Sequence, residues 1–147
     1  MIYIASDHAG FQLKKEMANY IKTVLGKEIE DLGPTAFVET DDFPDFAIPL
    51  AKTVAKDKDN FGILICGTGQ GMCIVANKVK GAYAIMGYNI SATELGRKHN
   101  NANILCMPGN PVSLDFAKAI VKKFLETKFD GDQRFVRRNQ KIADLEK

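Results

Sequence analysis

Residues 61–66 read FGILIC, a run with no polar position to turn toward water. A strand of this kind needs cover on both faces, a condition met in parallel sheets flanked by helices. Related runs recur as IYIAS (2–6), AYAIM (82–86) and ANILCM (102–107). KEIEDLG (27–33) alternates polar and apolar residues, as an edge strand does. Between these runs, helical spacing occupies 10–25, 46–57, 70–79, 91–99 and 112–126. In the first of these stretches Phe11, Met17, Ala18, Ile21, Val24 and Leu25 carry the pattern, and Gly26 is a helix stop. Five strands alternating with five helices predict an α/β fold with a parallel sheet covered on both faces. At 147 residues the chain fits one domain, 1–147, and 46% apolar content suffices for its core.

Ligands of such sheets sit beyond the carboxyl ends of strands, where the strand order reverses. The two strand ends richest in chemistry are Ser6-Asp7-His8 and Cys66-Gly67-Thr68. If they share a site, strands 1 and 3 are neighbours, and the predicted order is 2-1-3-4-5. The loop after Cys66 carries glycine at every second position: Gly67, Gly69 and Gly71. Its spacing and its place after the third strand both depart from the dinucleotide fingerprint, and no Gly-Lys-Ser/Thr follows. Either it is a tight strand-to-helix turn, or its backbone N–H groups hold an anion. Cys66 stands where strand gives way to helix, and a helix N-terminus favours thiolate, which serves as nucleophile or general base. A buried cysteine also serves as a small apolar residue, the role read for Cys73 and Cys106. Asp7-His8 suits a helix cap as well as a ligand contact. His99-Asn100 suits a helix C-terminus. The tail QRFVRRNQK places Arg134 and Arg138 on one helical face, where guanidinium forks can meet phosphate or simply be solvated. Asp41, Asp42 and Asp45 lack calcium-loop spacing and are read as a plain loop.

Other functions are disfavoured. A net charge of +2 gives no field that advertises nucleic acid, and no apolar run reaches membrane-spanning length. MIYIASDHAG lacks the features of a signal peptide, so a cytoplasmic protein is expected. Three scattered cysteines and two histidines argue against a disulfide framework or a metal site.

The ordered set SDHAG, DFPDFA, GILICGTGQGM, ANKVKG, GRKHNNANIL and the arginine tail resembles the ribose-5-phosphate isomerase B family, which includes the galactose-6-phosphate isomerase subunits. The resemblance covers essentially the whole chain. It implies a three-layer, Rossmann-like α/β/α domain. It also implies a homodimer or homotetramer with shared active sites, to which residues 130–147 contribute as an arm. It implies a cofactor-free aldose–ketose isomerase acting through an enediolate on ribose 5-phosphate, in the pentose phosphate pathway. A hexose 6-phosphate such as allose or galactose 6-phosphate is the alternative, as is a non-catalytic sugar-phosphate-binding relative. By the same resemblance Cys66 matches the catalytic base, while Thr68 and His99 match the ring-opening residues. Asp7, His8, Gly67, Gly69, Gln70, Gly71 and Asn100 match substrate contacts, and Arg134 and Arg138 match phosphate ligands. The chain departs from the family where an arginine is usual, at Asn110 and Tyr83, and in its tail at residues 132–135.

Overall fold

A computed structural model describes residues 1–111 and 113–147. Five strands form one parallel sheet: β1 (Ile2–Ser6), β2 (Ile29–Asp31), β3 (Phe61–Cys66), β4 (Ala84–Met86) and β5 (Ile104–Pro108). Six helices accompany them: α1 (Phe11–Thr23), α2 (Pro44–Val54), α3 (Gln70–Ala76), α4 (Ile90–Asn100), α5 (Leu114–Glu126) and α6 (Gln133–Asp144). A short 3-10 turn at His8–Gly10 joins β1 to α1, so the first helix begins after the predicted residue 10 and ends before 25. Gly26 takes a positive φ of 63° beyond it. The predicted start of the fifth helix at 112 lies outside the described residues; Ser113 caps α5 by accepting from the Phe116 N–H at 3.0 Å.

Alternation along the strands splits the core in two. Ile2, Ile4, Ile63, Ile65, Leu105 and Met107 face α1 and α5, which supply Leu13, Met17, Ile21, Ile120 and Phe124. Ala5, Leu64, Cys66, Ile104 and Cys106 face α2 and α3, which supply Leu50, Val54 and Met72. The continuous apolar runs of β3 and β5 are thus used on both sides, as FGILIC requires.

The observed order is β2-β1-β3-β5-β4, so the predicted 2-1-3-4-5 is corrected at its last two places. Burial explains the exchange. Ile104, Leu105 and Cys106 of β5 are wholly buried, whereas all three residues of β4 are only half-buried. Placing β5 inside buries several large side chains, each contributing about 1.5–3 kcal/mol relative to exposure. The three-residue β4 has little to gain there and takes the edge. The pairing of β1 with β3 stands as predicted, with Ser6 opposite Ile65.

Two polar groups fasten the sheet margins. Lys14 is buried within α1, yet its Nζ reaches Asp31 at 2.7 Å and the Pro34 carbonyl at 2.6 Å, tying β2 to the helix above it. Arg97 of α4 is buried against the rings of Phe61 and Phe124 and donates to the carbonyls of Thr127 and Ala102. No helix among the described residues is long and apolar enough to cross a membrane.

Candidate active site

The carboxyl ends of β1, β3 and β5 lie side by side and form what is here termed the mouth of the sheet. Cys66 ends β3 opposite Pro108, and its carbonyl accepts from the Gly109 N–H at 2.7 Å. The residue is nearly buried, at 5% exposure. The chain then turns through Gly67 and Thr68, both exposed, to Gly69. Gly69 has φ 81°, and a Cβ there would stand 2.8 Å from the Met107 backbone carbon. Only glycine takes that conformation without strain, which accounts for Gly69. Thr68 Oγ1 accepts from the Gln70 N–H at 3.4 Å, and a Cβ on Gly71 would meet the Phe43 ring at 2.8 Å.

Asp7 and His8 follow directly after β1, beside this turn, where Ala9 comes within 3.8 Å of the Cβ position of Gly67. The Asp7 backbone N–H donates to the Ile65 carbonyl at 3.2 Å, which locks the two strand ends together. Its carboxylate accepts from the Gly10 N–H at 3.1 Å and so caps the 3-10 turn. His8 Nδ1 lies 2.7 Å from Asp41 Oδ1, which also accepts the His8 backbone N–H at 2.9 Å. The bond to Asp41 raises the His8 pKa above its ordinary value; desolvation opposes it, while the charges of Asp7, Asp41 and Glu39 add to it. The sequence marks Asp41 only as part of a plain loop, and its partnership with His8 across 33 positions leaves no local signal.

Asp7, His8 and Asp41 bring carboxylate and imidazole atoms within 4.8 Å of one another, and Asp41 Oδ1 and His8 Nδ1 satisfy each other rather than a cation. Nδ1 of His8 is already engaged by Asp41, which leaves its Nε2 as the ring atom free for a ligand.

The remaining candidates lie at the opposite, amino-terminal end of the strands, termed here the foot. His99 and Asn100 end α4, which leads directly into the start of β5. Gly62 pairs with Ile104 and Cys66 with Pro108, so the two ends of β5 alone are separated by about 13 Å at ~3.3 Å per residue. His99 stacks on Phe135 of α6 with centroids 4.1 Å apart, and its carbonyl accepts from Asn139 Nδ2 at 2.9 Å. The guanidinium carbons of Arg134 and Arg138 stand 4.5 and 5.9 Å from the same ring. The two arginines share a face of α6, as their spacing predicts. Asn100 is exposed and is the last residue of α4, and the left-handed cap that follows it is Asn101, at φ 50°. Tyr83 lies at the foot too, its pKa raised by burial first and then by Glu146. One chain therefore brings together Asp7, His8 and residues 66–71, but holds His99, Asn100, Arg134 and Arg138 apart from them.

Cys106 is wholly buried, and its thiol is pushed well up by that burial. Cys73 is half-buried, and its sulfur contacts the Ala84 carbonyl at 3.6 Å. Both remain packing residues, as read.

Residues 2–142 match the family model described as Ribose/Galactose Isomerase. A probable ribose-5-phosphate isomerase B of Mycoplasma genitalium is 45% identical over 147 residues, covering 99% of this chain and 95% of that protein. Ribose-5-phosphate isomerase B of Mycobacterium tuberculosis is 34% identical over 146 residues, covering 99% and 90%. The crystal structure of ribose-5-phosphate isomerase B from Mycoplasma genitalium with bound ribulose-5-phosphate matches with a TM-score of 0.93 at 44% identity, over 99% of this chain and 95% of that one.

Proposed function

The chain belongs to the ribose/galactose isomerase family, and we infer that it interconverts ribose 5-phosphate and ribulose 5-phosphate as an isomerase of phosphorylated sugars. The observation that carries the reading is a thiol at the end of β3 beside a glycine turn, in a chain 44% identical to a protein crystallised with that ketose phosphate. Aldose–ketose exchange moves a proton between C1 and C2 through an enediolate. Cys66 Sγ takes that proton. Backbone N–H groups of Gly67, Gly69, Gln70 and Gly71 stabilise the developing oxyanion, whose charge appears only in the transition state. Asp7 and His8 contact the substrate, and Thr68 helps to open its ring. His99 donates the ring-opening proton, Asn100 contacts the sugar, and Arg134 and Arg138 grip the phosphate. Phosphate binding energy holds the remote reacting carbons in place. No step calls for a metal or organic cofactor.

Mouth and foot of one chain lie too far apart to share one sugar. The site is therefore built from two copies, each lending His99, Asn100 and the α6 arm, residues 130–147, to the mouth of the other, as a homodimer or a pair of dimers. Ile74 on α3, Leu95 on α4 and Tyr88 between β4 and α4 are exposed large apolar side chains on elements that border the β4 edge, available to such a pairing. The setting is cytoplasmic pentose phosphate metabolism.

The test is formation of ribulose 5-phosphate from ribose 5-phosphate by the purified protein and by Cys66→Ala. Loss of the base lowers kcat by about 10²–10⁴-fold, with ribose 5-phosphate binding retained. Turnover that survives the substitution removes the thiol from its role. Turnover confined to a hexose 6-phosphate changes the substrate but keeps the chemistry.

A further inference from the structure

The loop between β2 and α2 supplies a side chain to which the proposed reaction gives no role. Asp41 spends one oxygen, Oδ1, on both the backbone N–H and Nδ1 of His8. Its side chain is 9% exposed, and the second oxygen, Oδ2, is buried without a partner among the described residues. A carboxylate removed from water is costly unless a cation meets it. All the polar interaction of this one runs through His8, so the pair is most favourable when the ring is an imidazolium.

We propose that Asp41 is a positioning residue, pinning His8 through Nδ1 so that Nε2–H is presented as a donor to the anionic sugar phosphate at the mouth. This rests on the assignment of the mouth as a sugar-phosphate site. Local charge gives the role weight beside Arg134 and Arg138, which the proposed pairing brings to the phosphate from the other copy. His8 faces Asp7 at the end of β1, and Asp41 and Glu39 in the loop, while Phe37 presents its ring edge. Residues 66–71 after β3 and 108–110 after β5 carry no charged side chain. With the ring neutral, these carboxylates would repel an entering phosphate. A cationic ring offsets much of that repulsion and adds a charge-assisted donor. Because the bond to Asp41 raises the His8 pKa above 6.5, the cation persists where a free histidine has lost its proton.

The test compares wild type with Asp41→Asn, whose amide oxygen can still accept from His8 but brings no charge. Steady-state kinetics on ribose 5-phosphate are taken on both sides of the ordinary histidine pKa, about 6.5. Below it both rings are cationic and the two KM values agree. Above it the variant ring is neutral and its KM rises about tenfold over wild type, with kcat changed less. A KM ratio flat across pH overturns the proposal, as does a fall in kcat with KM unmoved. An NMR titration of the two histidine rings, assigned with His99→Gln, reads the pair without turnover. A His8 midpoint lower in Asp41→Asn than in wild type sustains the proposal, and equal midpoints overturn it. If wild type fails to isomerise ribose 5-phosphate, the isomerase reading falls alone and the titration still decides the pair.

Discussion

Cys66 at the mouth and His99 at the foot are held by different means. Backbone fixes Cys66: β3 is paired on both sides, and the Cys66 carbonyl is tied to Gly109. Side chains fix His99: the Phe135 ring beneath it, Asn139 on its carbonyl, and Arg97 and Glu146 bracing the neighbouring turns. In α6 itself, Phe135 is the one buried residue among those described. A group placed by main-chain geometry tolerates changes around it but not a change in backbone. A group placed by side chains has the reverse weakness, and its helix can detach while the sheet stays folded.

The contrast is most exposed by mixing. Cys66→Ala is broken at the mouth and His99→Ala at the foot, so each is inactive alone. If sites form between copies, unfolding and refolding the two together restores one intact site per mixed dimer, about a quarter of wild-type activity for a symmetric pair. Recovery near zero would place mouth and foot of the same chain in one site and erase the division. Gly69→Ala comes next. It forces a side chain into a positive-φ position against the Met107 backbone, and calorimetry or urea melts should record a loss of about 1–3 kcal/mol. Unchanged stability would mean that the mouth yields more readily than a paired sheet should. Phe135→Ala has the smallest effect on the fold, less than about 1 kcal/mol in the main transition because α6 is peripheral. Turnover nonetheless falls by about tenfold, through the lost support of His99 and Arg134. A large shift in the melt, with turnover intact, would move Phe135 into the core and out of the site.

Much of the mouth was legible because its signals are local. FGILIC demanded two covered faces, and alternate glycines marked a turn that needs positive φ at Gly69. Pairing of β1 with β3 followed from the chemistry at their ends. The exchange of β4 and β5 was missed because chain order favoured neighbours. The unbroken ILCM stretch after Asn103, against the short, alanine-interrupted AYAIM, carried the information: the run richer in large apolar side chains belonged inside. Asp41 was illegible because its meaning lies in a contact with a residue far along the chain. At the foot the helical face of Arg134 and Arg138 was readable from spacing. The stack of His99 on Phe135 was not, since nothing in either neighbourhood names the other.

The inside position of β5 has a consequence for how the chain is made. Among the described strands β4 pairs with β5 alone, with Ile85 opposite Leu105. β4 is synthesised first, yet it has no edge to join until β5 has emerged and docked on β3, closing a long loop whose entropy is set against contacts not yet formed. On a ribosome, residues 84–100 therefore wait beside an unfinished sheet. An earlier segment of the message is completed by a later one, and the three-residue length of β4 limits the apolar surface left uncovered in that interval.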